Sequence, residues 1–283
     1  MSSDYTPPAR ETKRARPAWY TRGMTTNMQS LYEHALPSRA VRYIASVRST
    51  MTEPWLTDAP DRAVVIAGEQ TAGRGRGARA WLTPPESALA LSMVLRGDDD
   101  AGLVTMLAGL AVCEALDGYP LPRAQLKWPN DVLVAGKKVC GMLAEGHAEA
   151  VILGIGLNIA VDFAGTCLAE RATSLNDHLR EPLAPRDYPA LVATILARVD
   201  AWRAAQRAHA ASQYGGVAPS PVVAAWRARL VTLGADVQVH DGAQVWRGRA
   251  VDVTRDGGLV VALADGVRRT FYAGDVSLSG DGV

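Results

Sequence analysis

The sequence predicts an α+β fold in which a large mixed domain is followed by a small β-barrel. Up to about residue 230, short β-branched runs alternate with segments of helical periodicity. From residue 231 onward, short apolar runs are separated by Asp-Gly pairs, which suit tight hairpin turns because both residues accept positive φ. We therefore place a catalytic domain at 37–230 and a barrel domain at 231–283.

Residues 1–36 are predicted to be a disordered tail, because they are rich in Pro, Thr, Ser and Arg and carry no apolar periodicity. The basic residues of this tail also leave open a contact with nucleic acid.

Two strands and a helix are predicted between residues 63 and 116. The β-branched run 63–67 and the apolar run 87–95 each predict a buried strand, with a loop rich in glycine and arginine between them at 71–79. Apolar residues at helical spacing then predict an amphipathic helix that ends before Gly118 and Pro120. These residues are Leu103, Met106, Leu107, Leu110, Cys113 and Leu116.

Further strands and two helices complete the large domain. The strands are predicted at 126–128, 132–134, 139–143 and 151–159. The second and third flank Ala-Gly-Lys-Lys, which predicts a hairpin. A long helix is predicted over 189–210, and a shorter one follows the Gly/Pro/Ser stretch at 215–221.

Composition limits the classes of function. Hydrophobic residues make up 48% and the formal net charge is +1, so the chain as a whole is not suited to a polyanionic partner. The three cysteines, Cys113, Cys140 and Cys167, are too sparse for a disulfide framework. No signal peptide or membrane-spanning segment is visible, so we expect a cytoplasmic protein without a membrane partner.

Three segments have residue types that suit a ligand site. The loop 73–79 holds three glycines and three arginines, so backbone amides and guanidinium groups can meet a phosphate there, although a flexible surface loop or a nucleic-acid contact has the same composition. Lys127 at a strand end before Pro129 suits an ammonium group held in place, or an ordinary strand boundary. The glycines of 154–159 indicate close approach of a ligand, or tight strand packing.

In their order and spacing, these segments resemble the biotin–protein ligase family. The chain reads Gly-Glu-Gln-Thr-Ala-Gly-Arg-Gly-Arg from Gly68, Lys-Trp-Pro-Asn-Asp from Lys127 and Gly-Ile-Gly-Leu-Asn-Ile from Gly154. Gly-Leu-Val-Val from Gly258 and Gly-Asp-Val-Ser-Leu from Gly274 resemble the family's C-terminal barrel. The resemblance covers about residues 43–279. It implies a mixed-sheet catalytic domain of the biotin/lipoate ligase type and an SH3-like barrel.

The resemblance also implies site residues. Those implied for biotin are Ser49, Thr50, Met51, Gln70, Arg74, Gly75, Arg76 and Lys127. Those implied for ATP or the adenylate are Gly73, Arg79, Trp81, Asn130, Lys138 and Asn158. Lys127, Arg74 and Arg76 are the expected catalytic residues, because two anionic reactants need fixed cations between them. Asp131 is a candidate for assisting the carrier lysine.

The activity implied is that of an ATP-dependent, AMP-forming biotin–(acetyl-CoA carboxylase) ligase. It forms biotinyl-5'-AMP with ATP and Mg²⁺, and passes biotin to a lysine of a biotin carboxyl carrier protein. We assign no protein ligand to Mg²⁺, and a homodimer stays open. Two alternatives are a lipoate–protein ligase and, in a different class, a nucleic-acid-binding protein built on the Arg-Gly loop.

The chain departs from the family pattern at two places. Met51 stands where the family usually has Asn, and Gly77-Ala78 stands where it commonly has Arg-Gly. Residues 1–36 are also too few for the DNA-binding helix-turn-helix domain of some members, so we expect no DNA partner.

Overall fold

The computed structural model describes residues 27–97, 100–147, 149–212, 220–242 and 244–278, so most of the predicted tail lies outside the described residues. The helices are α1 (Met28–Ala35), α2 (Trp55–Asp58), α3 (Ala101–Leu116), α4 (Tyr188–Ala211) and α5 (Pro221–Arg229). The strands of the large sheet are β1 (Val41–Ile44), β2 (Val64–Ala67), β3 (Ala88–Arg96), β4 (Gln125–Lys127), β5 (Asp131–Val134), β6 (Lys137–His147) and β7 (Ala150–Asn158).

The large sheet is mixed, as predicted. Its strand order is β1-β2-β3-β7-β6-β5-β4. Strands β1 and β2 are parallel, and every other neighbouring pair is antiparallel. The strands predicted at 63–67, 87–95 and 151–159 are confirmed as β2, β3 and β7.

The two faces of the central strands carry residues of very different size. In β3, Leu89, Leu91, Met93 and Leu95 alternate with Ala88, Ala90 and Ser92. In β7, Leu153, Ile155 and Leu157 alternate with Gly154 and Gly156. Because successive strand residues point to opposite faces, the large side chains build the main core under the helices. The other face is left shallow, with room above it for loops and a ligand.

Helix α3 is buried around almost its whole circumference, so the predicted amphipathic pattern is wrong. Eleven of its sixteen residues are buried. The helix lies between the sheet on one side and α4 and α5 on the other, and Met106 reaches Gly257 of the C-terminal domain. A helix covered on all sides needs no polar stripe. No helix of the described chain has both the length and the apolar character needed to cross a membrane.

The C-terminal domain is a five-stranded antiparallel sheet in the order β11-β10-β9-β8-β12. Its strands are β8 (Asp236–Asp241), β9 (Gln244–Val253), β10 (Leu259–Leu263), β11 (Arg268–Phe271) and β12 (Asp275–Leu278). Gly242, Gly257 and Gly266 take positive φ in the turns, as their Asp-Gly pairs predict. The inner residues of this sheet, such as Val237 and Val261, belong to the same core cluster as the large domain.

The prediction that residues 1–36 form a disordered tail is wrong for residues 28–36, because helix α1 packs against the large domain. Tyr32 is 1% exposed and Leu36 is 5% exposed. The Tyr32 ring stacks on Tyr43 of β1 at a centroid distance of 5.7 Å. This short helix is ordered by its contacts with β1 and the core. Because those contacts are made by residues far along the chain, the local sequence does not predict the helix.

Candidate active site

One cross-strand row forms the floor of the candidate site on the shallow face of the sheet. The row runs from Lys127 in β4 through Asp131, Gly141 and Gly156 to Ala90 in β3. Residues directly opposite in antiparallel strands point to the same face. The floor is therefore flat where the glycines lie, and charged at the end formed by β4 and β5.

A cluster of hydroxyl and amide groups lies beside this floor. Thr50 Oγ1 accepts from Ser92 Oγ at 2.7 Å, and Gln70 Oε1 accepts from Thr50 N at 2.9 Å. Gln70 Nε2 donates to Thr83 Oγ1 at 3.1 Å. Ser49 Oγ is buried and has no hydrogen-bond partner among the described residues. A buried hydroxyl left without a partner indicates a ligand contact, because such groups are otherwise satisfied.

Met51 forms an apolar wall next to this polar cluster. Its Sδ lies 2.8 Å from the place that a Cβ on Gly154 would take. Its other contacts are with the minor apolar cluster that includes Leu56, Val65 and Ile152. Met51 therefore places a flexible apolar side chain at the edge of the floor, where the family usually has the polar side chain of Asn.

Trp81 lies flat over the two glycines of the floor. A Cβ on Gly156 would come within 2.3 Å of the indole, and one on Gly141 within 3.0 Å. Lys138 Nζ lies 5.3 Å from the centroid of this ring and 2.6 Å from Asp131 Oδ1. The indole Nε1 is buried without a hydrogen-bond partner in the part of the chain that the structure describes. In this structure the indole therefore packs directly on the glycines, and a Lys138–Asp131 ion pair lies at the charged end of the floor.

Each arginine of the loop 73–79 meets an oxygen acceptor. Arg74 forms a two-pronged ion pair with Glu145 of β6, with N–O distances of 2.6 and 2.9 Å. Arg79 Nη2 lies 2.6 Å from Asp275 Oδ1. Arg76 donates to the Gly274 carbonyl at 3.2 Å. The loop thus connects the large sheet to the C-terminal domain, an arrangement that gives no support to a nucleic-acid surface.

The conformation of this loop explains the second departure from the family pattern. Gly77 takes the left-handed conformation, with φ 60° and ψ 37°. Glycine adopts this conformation without a steric penalty. Desolvation by burial lowers the pKa of the Arg76 guanidinium, while the nearby carboxylate of Asp275 acts in the opposite direction. Arg76 is therefore a half-buried cation whose desolvation the neighbouring carboxylates offset only in part.

The turn after Lys127 is fixed by the C-terminal domain. Trp128 is 2% exposed, and its backbone N–H donates to Thr232 Oγ1 at 2.9 Å. Its indole Nε1 donates to the Gly257 carbonyl at 2.9 Å. Asn130 Nδ2 donates to the Met142 carbonyl. These contacts anchor the turn on both sides, so the position of Lys127 depends on both domains.

The structure gathers most of the expected residues, and one of them, Asn158, already has a hydrogen-bond partner in the protein. Ser49, Thr50, Met51, Gln70, Trp81, Lys127 and Lys138 lie around the floor, and Gly73 packs against Gln70 and the Trp81 carbonyl. Asn158 is 4% exposed and donates to the Thr173 carbonyl at 3.2 Å, so in this structure it anchors a neighbouring segment. Its role in ATP binding stays a prediction.

Sequence reasoning missed three features of the site. It did not pair Asp131 with Lys138, and it gave no role to Glu145 or Asp275, which hold the loop arginines. Alternation along β6 puts Glu145 on the same face as Gly141, a signal that was available in the sequence.

Among the described residues, no three His, Cys, Asp or Glu side chains form a group suited to a metal ion.

Comparison with known proteins gives the family. Residues 43–162 match the model of the biotin/lipoate A/B protein ligase family, and residues 232–279 match the biotin protein ligase C-terminal domain. The biotin–(acetyl-CoA carboxylase) ligase of Mycobacterium tuberculosis is 35% identical over 76% of this chain and 79% of its own length. The enzyme of the same name from Paracoccus denitrificans is 32% identical over 77% of this chain and 91% of its own length.

The fold is also that of a solved member. The biotin protein ligase from Aquifex aeolicus, solved in complex with biotin and ATP, aligns with a TM-score of 0.70 at 24% identity. The alignment covers 84% of this chain and 98% of that one. With matching fold, matching family models in both domains and relatives above 30% identity, the chain belongs to the biotin–protein ligase family.

Proposed function

We propose that this chain uses ATP to activate biotin as biotinyl-5'-AMP and then transfers biotin to a lysine of a biotin carboxyl carrier protein. It is thus an ATP-dependent, AMP-forming biotin–(acetyl-CoA carboxylase) ligase. The observation that carries the proposal is the glycine floor that runs from a hydroxyl and amide cluster to a pair of lysines. Once the Trp81 indole moves off the glycines, this floor suits a flat ligand with a polar ring at one end and a carboxylate at the other.

The polar cluster accounts for recognition of the ureido group. A ureido oxygen accepts hydrogen bonds and its two N–H groups donate them. Ser49 Oγ, buried without a protein partner, supplies a donor and acceptor there. Thr50 and Gln70 lie next to it and are held in place by Ser92 and Thr83. Met51 and Trp81 give the apolar contacts that the rest of a biotin ring system needs.

The charged end of the floor accounts for adenylation. A biotin carboxylate oxygen attacks the α-phosphorus of ATP, the bond to the bridging oxygen breaks, and pyrophosphate leaves. Both reactants are anions, so a fixed cation between them lowers the barrier. Lys127, to which the family resemblance assigns this role, lies in the cross-strand row of the floor, directly opposite Asp131. Lys138 is a second cation beside the same floor, and its ammonium lies 2.6 Å from Asp131 Oδ1.

The loop arginines and Mg²⁺ account for the remaining phosphate charge. Arg74 and Arg76 lie on the loop beside the floor, where they can exchange Glu145 and the Gly274 carbonyl for phosphate oxygens. Mg²⁺, when bound with ATP, would be held chiefly by phosphate oxygens and water and would supply positive charge to the phosphates.

The second step forms the amide. The neutral amine of the carrier lysine attacks the acyl carbon of the adenylate, the bond to the phosphate oxygen breaks, and AMP leaves as the amine loses a proton. Asp131 is the carboxylate nearest to Lys138. We assign Asp131 to orient this lysine in the first step, and it stays the candidate for assisting the amine in the second.

The decisive test is a mass measurement of a biotin carboxyl carrier domain after incubation with the protein, ATP and biotin. We expect the added mass of one biotinyl group, with AMP and pyrophosphate as co-products. A parallel incubation replaces biotin with lipoate, and Lys138→Ala serves as the control protein. An added lipoyl mass without a biotinyl mass would overturn the proposal in favour of a lipoate–protein ligase.

A further inference from the structure

The loop that carries the three arginines is part of a small β-hairpin, residues 73–81. At its base the Trp81 N–H donates to the Gly73 carbonyl at 2.9 Å. Arg74 and Ala80 form the next antiparallel pair along it. Arg74 and Trp81 therefore occupy neighbouring positions at the same end of one hairpin, and a contact that holds Arg74 also restrains Trp81.

In this structure the base of the 73–81 hairpin closes the glycine floor. A Cβ on Gly156 would come within 2.3 Å of the Trp81 indole, so the ring rests on the strand backbone itself. The indole Nε1 is buried and has no hydrogen-bond partner in the described part of the chain. Because a ligand on these glycines needs the space that the ring occupies, this position of Trp81 and a bound biotin exclude each other.

Glu145 of β6 holds this end of the hairpin. Its two carboxylate oxygens accept from both terminal nitrogens of Arg74, at 2.6 and 2.9 Å. The contacts of Arg76 and Arg79 with the C-terminal domain lie at the other end of the hairpin, near its tip. The Arg74–Glu145 pair is therefore the ion pair of the hairpin that lies closest in sequence to Trp81.

The same pair also occupies the donors that Arg74 needs for a ligand. A guanidinium group offers a planar fork that matches one carboxylate or one phosphate at a time. While both terminal nitrogens of Arg74 bind Glu145, this fork is not available to a substrate anion. Opening of this single pair thus frees both the glycine floor and a cation beside it.

We propose that Glu145 is a positioning residue that keeps the 73–81 hairpin closed over the floor, and that biotin binds only after the Arg74–Glu145 pair has opened. The inference rests on the proposed function, since it takes the floor to be the biotin site. When binding needs an open form, the apparent affinity is the intrinsic affinity multiplied by the fraction of molecules that are open. Glu145 would therefore set the affinity for biotin without touching it.

The first test follows the Trp81 indole N–H by NMR in protein without added biotin, with Trp81→Phe to identify its signal. It compares wild type, Glu145→Gln and Glu149→Gln, where Glu149 is an exposed carboxylate in the turn after β6. The Arg74 and Glu145 side chains are 41% and 39% exposed, and pairs of this kind contribute little. We therefore expect the indole to exchange with solvent about twofold to fivefold faster in Glu145→Gln. Exchange as in the wild type would overturn the proposal.

The second test measures the dissociation constant of biotin for the same three proteins by isothermal titration calorimetry. We expect Glu145→Gln to bind biotin more tightly by the factor that indole exchange gives, and Glu149→Gln to bind it as the wild type does. Unchanged or weaker binding by Glu145→Gln would overturn the proposal, because Glu145 would then not oppose biotin. Absence of biotin binding in the wild type would instead contradict the proposed function, and the indole exchange would still decide whether Glu145 holds the hairpin closed.

Discussion

At the scale of single residues, two lysines stand at the charged end of the floor, both near Asp131. Lys127 is opposite Asp131 across β4 and β5 and precedes the anchored turn, and Lys138 lies 2.6 Å from Asp131 Oδ1 beside the glycines. Both positions suit a cation between two anionic reactants.

We predict that Lys127→Ala lowers the rate of adenylate formation by about 10²–10³, the usual effect of losing one preorganised donor. Lys138→Ala should also lower it. The measurement is pyrophosphate release at saturating ATP and biotin, with circular dichroism to show that each variant is folded. Normal turnover in both variants would contradict the cation assignment.

The three cysteines differ in burial, so their reactivity toward an alkylating reagent tests the packing of the core. Cys113 and Cys140 are buried, and Cys167 is exposed. Burial raises the pKa of the Cys113 thiol to about 12 and that of Cys140 further. Because the thiolate is the reactive form, we predict that an alkylating reagent at pH 8 modifies Cys167 alone in the native protein. Peptide mapping after the reaction locates the label, and rapid labelling of Cys113 would contradict the buried position of α3.

At the scale of elements, the loop 73–79 joins the large sheet to the C-terminal domain through three arginines. Arg76 is the half-buried member, and it contacts both Asn130 and the Gly274 carbonyl. A loop with such contacts can retain an adenylate after it forms.

We predict that Arg76→Gly releases biotinyl-5'-AMP early, so that the free adenylate labels lysines on unrelated proteins. The measurement is the biotin signal on albumin without a carrier, for wild type and variant at matched adenylate production. Equal albumin labelling in wild type and variant would show that Arg76 does not retain the adenylate.

Helix α4 is tied to the end of β3 by an ion pair that makes stability depend on pH. Asp61 accepts from Arg203 Nη1 at 2.8 and 3.0 Å and from the Arg96 N–H at 2.8 Å. Burial acts to raise the pKa of Asp61, but these hydrogen bonds outweigh it and the net pKa is lowered. A lowered folded pKa gives stability that is present above the unfolded value, about 3.9, and is lost as the pH falls through the folded value.

We therefore predict that Asp61→Asn lowers the free energy of unfolding at pH 7 by about 1 kcal/mol, a modest value because Asp61 is partly exposed. The difference between wild type and variant should shrink as the pH falls below about 4. Urea unfolding from pH 7 to pH 3 measures it. A difference that stays constant over this range would contradict the role of the Asp61 carboxylate.

At the scale of the whole molecule, the ordered fold begins earlier than residue 37. We predict that removal of residues 1–26 leaves adenylation and stability unchanged, because none of the site residues lies there. Removal of 1–36 should lower the free energy of unfolding by at least about 3 kcal/mol, since the buried Tyr32 and Leu36 leave the core. Thermal unfolding of the two truncated proteins measures this difference. If they unfold at the same temperature, α1 contributes nothing to the core.

The sequence predicted the elements that depend on a local pattern of residues. It did not predict the features that depend on contacts between residues far apart in the chain. The continuous apolar runs of β3 and β7 predicted central strands, and the Asp-Gly pairs predicted the turns of the C-terminal domain. The Lys138–Asp131 pair depends on a shift of register between β5 and β6 at Val132 and Leu133, which no spacing rule reveals. The polar face of α3 failed to appear because α4 and α5 cover the side that turns away from the sheet.

The shallow face of the sheet also shapes what further sequence change can do to this protein. A glycine inside a strand costs about 0.5–1 kcal/mol relative to alanine, so Gly154 and Gly156 each give up stability. A side chain at either position would meet Met51 or Trp81 within 3 Å and fill the floor. Because each added Cβ would clash with a side chain that packs on the glycine, a larger residue here would cost more in strain than it recovers in backbone entropy. Heat resistance and the shape of the site therefore make the same demand at these two positions, and both keep them as glycine.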